Sequence, residues 1–187
     1  MNYSAQIARS FPAIVIKNYI PMAQKVEILH YQHGKVMCMY PKSHQAAQLC
    51  AGSLVFCTVE KKHNIYTFID LSIEFAPHGL SLEQLQFIYD IIKLCQKSIP
   101  RDICVPELFD FLLYVYRHLS ELSEKGKSVA MLRLFLLLDL LPEQKGVYQI
   151  AIQDPHGFIA QDGKVLKSYV ALSWDIFHQR DKAEKTY

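Results

Sequence analysis

The spacing of apolar residues changes near residue 78, and that change limits the chain to a β part followed by a helical part. Before it, apolar and polar residues alternate in short runs separated by turn signals. Ala13-Ile14-Val15-Ile16-Lys17-Asn18-Tyr19 and Lys25-Val26-Glu27-Ile28-Leu29-His30-Tyr31 read as strands. Gln32-His33-Gly34 is a tight turn, and Lys35-Val36-Met37-Cys38-Met39-Tyr40 is a third strand. Ser53 to Glu60 is a fourth strand, Lys61-Lys62-His63-Asn64 its turn, and Ile65 to Glu74 a fifth with one face assigned inward.

Five strands in about 65 residues suit a small Greek-key barrel such as the OB-fold. Closure, or contact with a partner, hides the edges of so short a meander. Pro77-His78-Gly79 then breaks the pattern. Ser81 is a good N-cap, with Gln84 placed to complete a capping box. The helix they open runs to about Ser98, and Pro100 stops it. A second helix opens at Pro106 and continues to Leu119. Glu124-Lys125-Gly126-Lys127 reads as a turn, and a third helix covers Ser128 to Leu141. These helices are apolar over too much of their circumference to lie on a surface, so they pack on each other. Val147 to Ile152 and Phe158 to Leu166 read as extended, the second with an Asp162-Gly163 hairpin turn. A last helix, Ser168 to Gln179, carries the sole Trp, Trp174. The expected class is α+β: an N-terminal five-stranded OB-fold barrel over 1–78, then a helical domain over 79–187 with a β-hairpin insert at 147–166.

An apolar fraction of 51% and a charged fraction of 20% are those of a packed chain, except for the charged tail from Arg180 to Tyr187. The formal charge of +2 does not by itself argue for nucleic acid. Its distribution is more telling. Residues 1–78 carry seven Lys and Arg against four Asp and Glu, a net +3, and the remainder thirteen against fourteen, a net −1. The β part is the expected home of an anion-binding surface. The run Ala130 to Leu141 is too short to span a bilayer and holds Arg133 and Asp139, so no membrane partner is expected. The five cysteines include no C-x-x-C pair, and Met1 to Ser10 is polar. Reduced thiols in a cytoplasmic protein are expected.

Motifs of catalysis and cofactor binding are missing: no G-x-x-x-x-G-K, G-x-G-x-x-G, G-x-S-x-G or H-E-x-x-H occurs. His30, His33 and Cys38 have no second pair to complete four metal ligands. Asp154 and His156 share a loop without a third group to make an acid–base system. No enzyme activity, cofactor or metal is expected. What remains is binding chemistry. Lys35, Lys42, Lys61 and Lys62 lie at strand ends and turns, interleaved with Tyr40, His44 and Tyr66. Barrels that hold single strands combine basic grooves with aromatic platforms, because phosphates need cations and every base has a stackable face. Arg133, inside the most apolar helix, needs a carboxylate partner or a route to the surface. A site for an acidic peptide terminus is one use of it.

The order of these pieces resembles the bacterial RecO recombination mediators. Ala13 to Tyr19, Lys25 to Leu29 and His33-Gly34-Lys35-Val36 look like the opening strands of that family's OB-fold. Pro41-Lys42-Ser43 looks like the end of its basic segment, and Ser53 to Glu74 follows its strand–turn–strand pattern. Met131-Leu132-Arg133-Leu134-Phe135 falls where the family has an Arg-bearing apolar helix. The resemblance implies a non-enzymatic DNA repair and recombination protein. Such a protein binds and anneals single-stranded DNA, contacts a RecR-like partner and the acidic C-terminal tail of single-strand-binding protein, and helps load the RecA recombinase. Carried over by position, the DNA surface comprises Lys35, Lys42, Lys61 and Lys62, to which the interleaving adds Tyr40 and His44, and Arg133 takes the acidic tail. Two departures stand out. Met37-Cys38-Met39-Tyr40 replaces the family's basic run, and Val147 to Leu166 has none of the zinc cysteines many members carry. The first favours an alternative, a protein-interaction module of the same fold with no DNA binding of its own.

Overall fold

The computed structural model describes residues 9–19, 24–39, 49–63, 65–144, 146–157 and 159–184. They form two compact units, Met1–Pro106 and Glu107–Tyr187. The division falls after the first helix rather than at residue 78.

In the first unit, strands β1 (Phe11–Asn18), β2 (Lys25–His30), β3 (Gly34–Met39), β4 (Leu54–Lys62) and β5 (Ile65–Phe75) close into a barrel in the order β1-β2-β3-β5-β4. β1 seals the barrel by pairing antiparallel with β4, and β3 pairs parallel with β5. This is the expected five-stranded barrel of the OB type. Ala13, Val15, Val26, Ile28, Val36, Cys38, Val55, Cys57, Tyr66, Phe68 and Leu71 fill its interior.

The inward face of β5 is not continuous. Thr58 pairs with Asp70 and Val59 with Phe68, so Ile69 is an extra residue in the ladder. The bulge moves the inward parity from Tyr66 and Phe68 to Leu71 and Ile73, and leaves Ile69 59% exposed. A uniform alternation along β5 is thereby corrected.

Helix α1 (Leu82–Ser98) opens with the expected capping box, in which Ser81 and Gln84 each satisfy the other's main-chain N–H. It covers the outside of β1, which explains why Ile14 and Ile16 are as buried as the inward Ala13 and Val15. The chain after α1 lies along the outer face of β2 and β3. Asp102 N donates to Lys35 O at 3.0 Å, and the Arg101 main chain pairs with that of Lys35 in an isolated parallel β-bridge. A Cβ on Gly34 would overlap the Ile103 carbonyl, so the close approach needs glycine there.

The second unit holds α2 (Pro106–Arg117), α3 (Glu124–Leu137), α4 (Val147–Ala151) and α5 (Gly163–Glu184). α3 starts four residues earlier than its apolar run, because Ser123 accepts the Gly126 N–H at 3.1 Å and caps it. Val129, Leu132, Val147, Ile150, Ala151, Ile159 and Leu166 make its core. The segment expected as a β-hairpin insert contains no strand among its described residues. Val147, Ile150 and Ala151 are buried while Tyr148 is 59% exposed, a helical spacing that tertiary packing selects over β propensity. Asp162 does not turn a hairpin. Its Oδ1 accepts the Lys164 N–H at 2.6 Å, in the first turn of α5.

Candidate nucleic-acid interface

The β4–β5 hairpin carries Lys61 and Lys62 at its tip, opposite Tyr66 and Ile65. Lys62 is exposed and pairs with Glu60 at 2.9 Å. The Lys61 ammonium stands 5.1 Å from the centroid of the Tyr66 ring. That ring meets His33, from the β2–β3 turn, at 5.2 Å. His33 stacks on His30 at 4.8 Å with 20° between planes. His30 meets the edge of Phe11 at 6.1 Å, and Phe11 lies parallel to Tyr31 within 5° at 6.5 Å. A row of five rings thus runs from Tyr31 through Phe11, His30, His33 and Tyr66 to an ammonium on the hairpin. Phe11, Tyr31 and His33 are partly exposed, whereas His30 and Tyr66 are buried. Partly exposed rings beside exposed lysines are the two components that hold a single strand, stacking and charge.

The row is electrostatically tuned. Burial, then the neighbouring His33, drives the His30 imidazole down to about 4, with the Cys57 main chain pulling weakly the other way. Burial and then the Lys61 charge hold His33 below the usual histidine value. His30 is therefore neutral near pH 7, with Nδ1 accepting the Gln32 N–H at 3.1 Å.

Lys35 is placed elsewhere. It is 7% exposed, on the outer face of β3, and its Nζ donates to Gln96 O at 2.6 Å. Burial lowers its pKa, Glu27 raises it and Arg101 lowers it. Arg101 in turn reaches Glu27, itself 5% exposed, at 3.6 Å. Lys35 thus belongs to an ionic group, with buried Glu27 and the exposed Arg101, that fastens residues 96–102 to the barrel. The other expected members, Tyr40, Lys42 and His44, lie outside the described residues.

Arg133 stands 5.2 Å from the Phe111 ring, in a cavity of about 490 Å3 lined also by Glu107, Asp110, Tyr114, Ile152, Asp154 and Pro155. Asp154 accepts hydrogen bonds from the His156 main chain at 3.0 Å and the Tyr114 hydroxyl at 2.8 Å, and both lower its pKa. Carboxylates outnumber the guanidinium there. That balance gives no support to an acidic tail as the occupant.

Phe11, Tyr31 and His33 were not among the expected site residues. Tyr31 and His33 flank the turn that sequence reads correctly, but only barrel closure brings Phe11 and Tyr66 to them. Among the described residues, no group of three or more His, Cys, Asp or Glu side chains is arranged to hold a metal ion. Nor, among the described residues, is any helix long and apolar enough to cross a membrane. A scan against protein-family models finds no match, and a search of curated proteins finds none. The class defined by fold and site is a closed five-stranded barrel with an aromatic and basic edge, joined to a helical unit.

Proposed function

We propose that this chain is a non-enzymatic binding protein for single-stranded DNA in repair and recombination. In this reading it acts in the cytoplasm, anneals strands, and helps load a recombinase with RecR-like and single-strand-binding partners. The observation that carries the reading is the row from Tyr31 to Lys61, which joins stackable rings to a lysine-tipped hairpin on a barrel. In barrels of this type the loop between the fourth and fifth strands is a recurrent oligonucleotide contact. The resemblance to RecO mediators supplies the biological setting, and the unpaired cysteines of the chain accord with a reducing compartment. The test is binding of labelled oligo-dT by the full chain and by a Lys61→Ala/Lys62→Ala variant. Loss of two phosphate contacts should weaken binding about tenfold at low salt and reduce the salt slope by about 1.4. Equal affinities would clear the hairpin of the role.

A second reading, an interaction module without DNA binding, is favoured by one observation. The outer face of β2 and β3, which barrels of this type also use for oligonucleotides, is covered around Glu27 and Lys35 by the chain's own residues 96–103. It predicts capture of a RecR-like protein or an acidic peptide in a pull-down, with no oligonucleotide retained.

A further inference from the structure

The β2–β3 turn and the β4–β5 hairpin meet at one imidazole. His33 lies between His30 at 4.8 Å and Tyr66 at 5.2 Å, and the far partner of Tyr66 is the Lys61 ammonium. Among the described residues, the titratable and charged groups facing it are His30 from β2, Tyr66 from β5 and Lys61 from β4. His30 is held neutral by burial, and the Lys61 ammonium is one of the two influences that hold His33 down.

We propose that His33 is a proton-gated contact of the nucleic-acid interface, taking up a proton as a phosphate docks at Lys61, so that strand binding tightens as pH falls. The proposal rests on the binding function above and deepens it by adding a residue and a regulating ion. The physical argument concerns what the phosphate changes. In the unbound protein, burial and the Lys61 charge both disfavour the imidazolium. A phosphate beside Lys61 neutralises that charge and presents an anion to the same ring. His33 then becomes easier to protonate in the complex than in the unbound protein, and linkage requires the reciprocal: protons strengthen binding. The partial exposure of His33 gives the proton and the strand access. His30 does not compete over this range, because it is held neutral down to about pH 4.

The experiment measures oligo-dT binding by the full chain from about pH 7.5 to about pH 6 at constant ionic strength. One proton taken up can change affinity at most about tenfold per pH unit. The expected result is a three- to tenfold gain in affinity for the parent over this interval, abolished in His33→Gln and retained in His78→Gln, which lies outside both turns. Calorimetry of the parent in two buffers of different ionisation enthalpy should show net proton uptake on binding, and this needs no variant to fold. Tight, salt-sensitive binding with no pH dependence, no proton uptake, or the same pH dependence in His33→Gln overturns the proton coupling and leaves the binding function standing. Absence of binding at every pH overturns both.

Discussion

At the scale of single residues, a lysine's position in the sequence does not reveal whether its charge faces solvent. Lys61 and Lys35 both sit at strand ends, yet one caps a ring on an exposed hairpin and the other is buried against Gln96 O. The difference arises from residues 96–103, some 60 positions away from Lys35 in the chain, and nothing near Lys35 announces it. Lys35→Ala should cost about 2 to 4 kcal/mol of folding stability, since it leaves Gln96 O without its donor and Glu27 buried beside one cation fewer. Chemical denaturation measures that cost, and a loss under about 0.5 kcal/mol would mean the ionic group contributes nothing. The rings give the complementary expectation. Tyr31→Ala should weaken oligo-dT binding by about 1 to 3 kcal/mol, the usual worth of one stacked base, with the thermal midpoint of the protein little changed. Unaltered affinity would remove Tyr31 from the interface.

At the scale of elements, the strands and the first helix are legible because their signals are local. Alternation marks β2 to β4, and Ser81 with Gln84 marks the start of α1. Ser81→Ala should destabilise the chain by about 1 kcal/mol, read from the shift of its denaturation midpoint, because an N-terminal N–H of α1 loses its acceptor. Two features are not local. The Ile69 bulge falls where the apolar parity of the run switches, at the adjacent Phe68 and Ile69, but which of the two faces inward is set by the pairing of β5 with β4. Val147 to Ala151 has β-branched and aromatic residues, yet it closes as a helical turn because its apolar positions face α3. Asp162-Gly163 shows how one dipeptide serves either a hairpin or a helix start, and the packing of Leu166 into the second core accompanies the choice.

At the scale of the molecule, barrel closure converts scattered residues into a site, and it also sets an acid limit on stability. His30 has a folded-state pKa of about 4 against about 6.5 unfolded, so the native state prefers it neutral. Its contribution is complete above about pH 6.5 and is lost as pH falls towards 4, in total about 3 kcal/mol. Thermal denaturation across that window should show the loss, and His30→Phe should flatten it; a parent equally stable at both ends would contradict the placement of His30. In the helical unit α2, α3 and the body of α5 are legible from periodicity, whereas α4, the start of α5 and the cavity around Arg133 are not. Its carboxylates come from α2 and from a loop, so the acid-rich balance exists only once the helices pack. The central claim is that the row from Tyr31 to Lys61, with Lys62 beside it, holds a single-stranded nucleic acid through charge and stacking. The most direct test is the affinity of the full chain for oligo-dT at about 50 mM and about 200 mM salt. Release of counterions from two to four phosphates predicts a fall of about 7- to 50-fold between them. Undetectable binding at the lower salt, or the same affinity at both, would contradict it.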